Sequence, residues 1–173
     1  MKKTNLLLAV HCHQPVGNFD NVFEEAYEKA YLPFIKTISD YPDIKFSLHY
    51  SGSLLDWLRQ NHPDFLDKIN ALIKKGQVEL LAGGYYEPIL SLLDEEDAIG
   101  QIKLLKETIE SVFSYKAKGA WLTERVWEPH LPYVFSKAGI LYTIVDDSHF
   151  KLVSREPEDL NGYYLCEEQG RTI

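Results

Sequence analysis

"NLLLAVHCHQP", residues 5–15, decides the fold. Residues 5–10 read as a continuous apolar run, too short to make a helix face and without the alternation of a half-exposed strand. Such a run predicts a strand buried on both faces, the condition of strands in parallel α/β sheets. It stops abruptly in His11, Cys12, His13 and Gln14.

Four more apolar runs stop in the same way. Residues 44–50 end in His49, Ser51 and Gly52. Residues 78–82 end in Gly83-Gly84-Tyr85-Tyr86-Glu87-Pro88. Residues 119–123 end in Glu124-Arg125, within "WLTERVWEP" at 121–129. Residues 140–145 end in Asp146-Asp147, with His149 close behind. Helical patterns lie between the runs. Residues 21–38 carry apolar positions on one stripe, with Asn21 and Glu24 as a capping box and Pro33 kinking or interrupting the helix. A second helical stretch begins at Leu54, restarts at Pro63 and stops at Gly76. Residues 95–113 form a long helix with acids at its start, and residues 131–138 a short one closed by Gly139. Residues 163–166, a turn at Gln169-Gly170 and residues 171–173 read as a strand and the start of its return. Strand alternating with helix predicts an α/β fold built on a parallel sheet or (β/α) barrel. In either, all the strand ends lie on one side, where ligands bind.

Composition narrows the partners. With 18 Lys+Arg against 26 Asp+Glu, the net charge of −8 speaks against nucleic acid, which needs a basic face. No segment approaches the length of a membrane span. The run from Leu6 to Val10 is too short for a secretory signal core, and Cys12 and Cys166 make no disulfide framework; a cytoplasmic protein with reduced thiols is expected. The 11 Tyr, 8 Phe and 3 Trp serve a core first, and also supply platforms for sugar rings.

The polar strand ends leave several chemistries open. His11 and His13 project to one face, because strand side chains repeat every two residues. They can bind a metal, hydrogen-bond a polyol, or be satisfied core histidines. Gly83-Gly84 fits a tight turn as well as a site, and Asp146-Asp147 fits a cap. Glu79 lies inside a strand, so its carboxylate must be paired or aimed into a site. Glu124 beside Arg125 fits a structural ion pair, and Trp121 and Trp127 fit a core. A phosphate loop, a nucleophile elbow and a C-x-x-C pair are all missing. Carboxylates, histidines and aromatics remain, a set that suits glycosidic chemistry or a metal hydrolase.

"HCHQPVGNFD", "GQVELLAGGYYEP" and "WLTERVWEP" resemble the first three motifs of glycoside hydrolase family fifty-seven, nearest to its 4-α-glucanotransferases and α-amylases; "VFEEAYEKAYLPF" and "VDDSHF" share that look. The resemblance implies an incomplete seven-stranded, TIM-like (β/α) barrel, of which residues 1–173 are the N-terminal part. It implies a retaining enzyme acting on α-1,4-glucans or maltooligosaccharides, with no metal or organic cofactor. By the same resemblance Glu124 is the nucleophile, forming a covalent glycosyl-enzyme, while His11, His13, Glu79, Trp121 and Arg125 contact or shape the sugar site. The family's general acid/base, an aspartate of a fourth motif, falls beyond residue 173, so the chain is expected to be truncated and inactive alone. Two other readings compete: a metal-dependent barrel hydrolase using His11, His13, His49, Asp146 and Asp147, and a non-catalytic sugar-binding module.

Overall fold

The computed structural model describes residues 5–152, 160 and 162–173; the lysines at positions 2 and 3, weighed above against a signal, lie outside them. Strands β1 (Ala9–Cys12), β2 (Phe46–Tyr50) and β3 (Val78–Leu81) pair in parallel, in that order. A parallel bridge between Ala82 and Ala120 passes the sheet on to β4 (Gly119–Ala120), which pairs in parallel with β5 (Tyr142–Thr143). The connections are helical: α1 (Asp20–Ala26) and α2 (Leu32–Ser39) after β1, α3 (Gly52–Asn61) and α4 (Pro63–Lys74) after β2, α5 (Glu95–Phe113) after β3, and α6 (Leu131–Lys137) after β4. This is a partial (β/α) barrel, as the alternation predicts. Beyond β5 lie α7 (Asp147–Lys151) and an antiparallel hairpin, β6 (Glu167–Glu168) with β7 (Arg171–Thr172), which packs on α6.

Local sequence explains most helix bounds. Glu95, Glu96 and Asp97 fill the first turn of α5, where carboxylates meet the positive end of the helix dipole. Its buried face is Ala98, Ile102, Leu105, Ile109 and Phe113, the spacing of one helical stripe. Pro63 opens α4, where its missing N–H costs nothing, and Gly76 follows its end with φ +70.

The first helix departs from its expected form. The α-helix is interrupted, as one of the two expected outcomes at Pro33, but by widening and not by a kink: Tyr27–Tyr31 makes a π-helical turn between α1 and α2, with the Leu32 amide donating to the Tyr27 carbonyl. Pro33 cannot donate to the carbonyl four residues back, and its ring crowds that turn; widening the helix accommodates it. The wider turn also aligns Phe23, Tyr27, Tyr31 and Ile35, four residues apart, on the buried face. The expected capping box at Asn21 and Glu24 is not formed. The helix starts at Asp20 behind Phe19, whose amide instead donates to the Asn18 side chain.

The core lies between the sheet and the helices, with Leu48, Leu54, Leu58, Phe65, Ile69, Ile102 and Phe135 fully buried. Side chains of this size contribute roughly 1.5–3 kcal/mol each on burial. The opening run is a correction. Leu6 and Leu7 are 87% and 92% exposed, and β1 proper begins only at Ala9. Its register with β2 starts at Ala9 opposite Ser47, so residues 5–7 extend past the paired region. The four residues of β1 are each only partly buried, so the run is not the doubly covered strand expected, and among the described strands β1 pairs only with β2. The last strand pair also begins later than expected: residues 163–166 are not a strand, and the turn at Gln169-Gly170 joins β6 to β7.

Candidate active site

In-register parallel pairing puts His11 of β1 beside His49 of β2. Side chains at paired positions share a face, and the two imidazoles meet Nδ1 to Nδ1 at 2.8 Å. His13, two residues on, stacks in the same file at a centroid distance of 6.3 Å from His11. Trp121, at the end of β4, lays its indole on the His11 ring at 4.5 Å and 10°. From the loop after β3, Glu87 closes the group. Its carboxyl oxygens stand 3.4 Å from His49 Nε2 and 4.0 Å from His11 Nε2, and its side chain is only 5% exposed. Gly83 makes this approach feasible, since a Cβ there would come within 2.9 Å of the Trp121 carbonyl and 3.0 Å of His49 Nε2.

Glu124 sits on a one-turn 3-10 segment, Thr123–Arg125, directly after the β4 extension. Its backbone is left-handed, with φ 51 and ψ 10, and that of Arg125 follows with φ 53. Non-glycine residues in that region are strained by about 1–3 kcal/mol, and such strain gathers at functional sites. The turn is anchored from one side: Asp146 accepts a hydrogen bond from Arg125 Nε at 3.3 Å, and His149 Nε2 lies 3.1 Å from the Arg125 carbonyl. Arg125 therefore pairs with Asp146 and not with its neighbour. The Glu124 side chain, exposed, is near enough to His13 and Glu87 to act on both electrostatically.

Burial sets the protonation of this cluster. It lowers His11 to about 4 and His49 well below its ordinary value, with neighbouring histidines adding to each. His13 is lowered by burial and pulled partly back by Glu124. Glu87 is raised to about 7, first by burial and then by the negative charge of Glu124, with the nearby Thr123 hydroxyl opposing. The imidazoles are thus neutral near pH 7. Cys12 is pushed up to about 12 by burial and is no nucleophile.

Among the described residues, His13 Nδ1, His49 Nε2, Glu87 Oε1, Trp121 Nε1 and Thr123 Oγ1 are buried without a hydrogen-bond partner. Unpaired buried polar atoms are costly, and their concentration here marks a surface made for a polar ligand. Both donors and acceptors are represented, which suits the hydroxyls of a sugar. His11, His49 and Glu87 also offer ligand atoms within 4.8 Å of one another, a spacing that a metal ion could use. With the two rings joined Nδ1 to Nδ1, the ring that accepts carries its proton on Nε2 when neutral and offers a metal no lone pair there, so the neutral pair as it stands is one ligand short. The metal-hydrolase set is not assembled either: Asp146 is taken up by Arg125 and the Ser148 amide, and Asp147 by Lys151.

The sequence-derived residues thus divide. His11, His13, Trp121 and Glu124 come together, with Arg125 beside them in the anchored turn. Glu79 lies lower in the barrel. Paired with Ser47, it is two residues nearer the strand start than Leu81, the partner of His49, and its carboxylate acts on the Tyr142 and Tyr115 phenols. Glu87 and His49 are the members that sequence reasoning underrated. Glu87 read as the start of a loop, and its one signal was a carboxylate just before Pro88 after a Gly-Gly pair. His49 stood at a strand end, but its pairing with His11 is set by register.

Known proteins resemble this chain in sequence and in fold. The sequence matches Glycosyl hydrolase family 57 over residues 7–173. It is 50% identical over 163 residues to "Alpha-amylase 1" of Dictyoglomus thermophilum, covering 94% of this chain and 24% of that protein. It is 44% identical over 173 residues to the 4-alpha-glucanotransferase of Thermococcus litoralis, covering 100% of this chain and 26% of the other. The crystal structure of a 4-alpha-glucanotransferase from that organism superposes with a TM-score of 0.94, over 100% of this chain and 27% of that one. The chain spans about a quarter of the length of these relatives. The match along nearly the whole chain and the near-identical fold leave one conclusion: the chain belongs to glycosyl hydrolase family 57.

Proposed function

We propose that residues 1–173 supply the nucleophile-bearing part of the (β/α) barrel of a retaining α-1,4-glucan-acting enzyme, a 4-α-glucanotransferase or α-amylase, with Glu124 as nucleophile. The observation that carries this reading is the placement of Glu124. It stands on a left-handed turn at the strand ends, near His13 and Glu87 and beside a wall of unpartnered polar atoms. The names of the relatives support the substrate class.

In this reading an α-glucan or maltooligosaccharide lies along the strand ends. His13 offers its unpartnered ring nitrogen to sugar hydroxyls, and His11, joined to His49 through Nδ1, lends the face of its ring to the same wall. Trp121 gives one edge of the pocket an apolar wall, on which His11 is held flat. Glu124 attacks the anomeric carbon, and Arg125, tied to Asp146, holds the turn still for that attack. Glu79 supports the floor of the site through Tyr142 and Ser47. No step needs a metal or organic cofactor. A retaining mechanism takes two carboxyl groups roughly 5–5.5 Å apart, the second delivering a proton to the leaving oxygen. By family resemblance that second group is an aspartate outside this chain.

The test uses an intact enzyme containing this chain. Glu124→Gln is expected to lower maltooligosaccharide turnover by at least about a thousandfold while leaving affinity largely intact. Normal turnover in that variant sinks the reading. The 173-residue chain by itself is expected to bind maltooligosaccharide without turning it over.

A further inference from the structure

The contacts among Glu87, His49 and His11 constrain how many protons they hold. The two rings meet Nδ1 to Nδ1 at 2.8 Å, so one nitrogen donates and the other accepts. In neutral imidazoles the donor ring then has a bare Nε2, and the acceptor ring carries Nε2–H. Both Nε2 atoms face the same carboxyl group, at 4.0 and 3.4 Å. A carboxylate can answer only the Nε2–H, and it would set its negative charge against the bare nitrogen. A carboxylic acid is compatible with both: being neutral it sets no charge against either nitrogen, and it can accept from or donate to His49 Nε2, the nearer of the two, wherever that contact tightens. The same proton count results if the carboxyl ionises and one ring becomes an imidazolium. That form places two charges in a site where His49 is fully buried and Glu87 nearly so, which burial opposes.

We propose that Glu87 works as a neutral carboxylic acid that fixes the tautomers of His11 and His49 and so holds His11 flat on Trp121 at the glucan site. It is a positioning residue, and its role rests on the reading of this pocket as a sugar site. The groups facing it are His11 and His13 from β1 and its end, His49 from β2, and Thr123 and Glu124 from the segment after β4. Neutrality at Glu87 leaves Glu124 the only anion among these groups. Burial favours the protonated acid and the neutral rings alike. The arrangement uses a carboxyl group as a hydrogen-bond donor, as apolar enzyme sites do when they keep an acid protonated at neutral pH.

Glutamine tests this directly, because a side-chain amide permanently combines the acceptor and the donor that the acid supplies. NMR of the 173-residue chain with labelled histidine and glutamate is the first measurement. At about pH 6 it should show two neutral rings of opposite tautomer and a protonated Glu87. As pH rises, one transition near 7 should move Glu87, His11 and His49 together, and Glu87→Gln should abolish it. An ionised Glu87 at about pH 6, an imidazolium in either ring, or rings that titrate independently overturns the proposal. The wild-type titration decides even if the variant does not fold. Maltooligosaccharide affinity is the second measurement. Glu87→Gln should stay within about twofold of wild type and keep its affinity at about pH 8, while Glu87→Ala weakens about tenfold. Glutamine as damaging as alanine counts against the acid. If wild type binds no glucan at all, the sugar-site reading fails, and the titration still decides the protonation of Glu87.

Discussion

At the scale of single residues, this site turns on groups whose ordinary charges are suppressed. Glu87 holds a proton up to about 7, against 4.5 for a free glutamate. Between those values the folded state carries a proton that the unfolded state lacks. Stability therefore falls as pH rises through that window and levels off above it. His11 works in the opposite sense. Lowered from 6.5 to about 4, it makes the folded state the poorer proton binder, so stability is lost as pH falls through its own window. In wild type the two slopes oppose each other. Glu87→Gln removes only the first, so the variant should gain on wild type by on the order of 1–3 kcal/mol between about pH 5 and pH 8. Urea unfolding at several pH values reads this difference. A gap that does not change with pH means that Glu87 is ionised throughout. None of this was legible in the sequence, where Glu87 lies in a loop and nothing local announces that three strand ends will bury it.

At the scale of elements, much was legible, and the reasons are physical. Residues 95–113 were bounded correctly because acids, an apolar stripe and the end of the pattern all act locally. Gly76 and Gly139 stop α4 and α6 for the same kind of reason, at φ +70 and +71. Helix α5 ends differently: Ser114 takes the left-handed conformation, φ 52 and ψ 34, in which glycine carries no Cβ penalty. Ser114→Gly is expected to stabilise the protein by about 0.5–1 kcal/mol, read as a higher urea midpoint with an unchanged slope. A lower midpoint would mean that the serine side chain contributes something the backbone argument omits. The π-helical turn was not legible, since Pro33 allows a kink, a break or a widening, and packing of Tyr27 and Tyr31 chooses among them. Nor was the register, which decides that His49 and not another residue meets His11. Glu79 shows the same limit: its strand was placed correctly, but its height along the barrel follows from pairing with Ser47.

At the scale of the whole molecule, the described sheet is open. β1 pairs only with β2, β5 pairs only with β4, and exposed apolar side chains include Leu6, Leu7, Leu141 and Leu165. Unpaired strand edges beside apolar side chains invite association between copies. The net charge of −8 opposes it through repulsion that salt screens. Light scattering of the 173-residue chain should therefore rise with concentration, and rise further with added salt. Leu6→Lys combined with Leu7→Lys should reduce it. Scattering unaffected by those changes would place any association elsewhere. The alternation of elements along the chain disclosed this architecture at once, because each strand-to-helix step is written in local periodicity. The exposure of residues 5–7 was not disclosed, because an apolar run records what a segment can bury and not what arrives to cover it.

The left-handed backbone at Glu124 has a consequence for how this protein would respond to selection. Glycine is the residue that such a conformation prefers, and a variant carrying it there would fold with less strain. A library sorted only for resistance to heat or protease would enrich that substitution and discard the proposed nucleophile. At position 124, improvement of the scaffold and retention of its chemistry run in opposite directions.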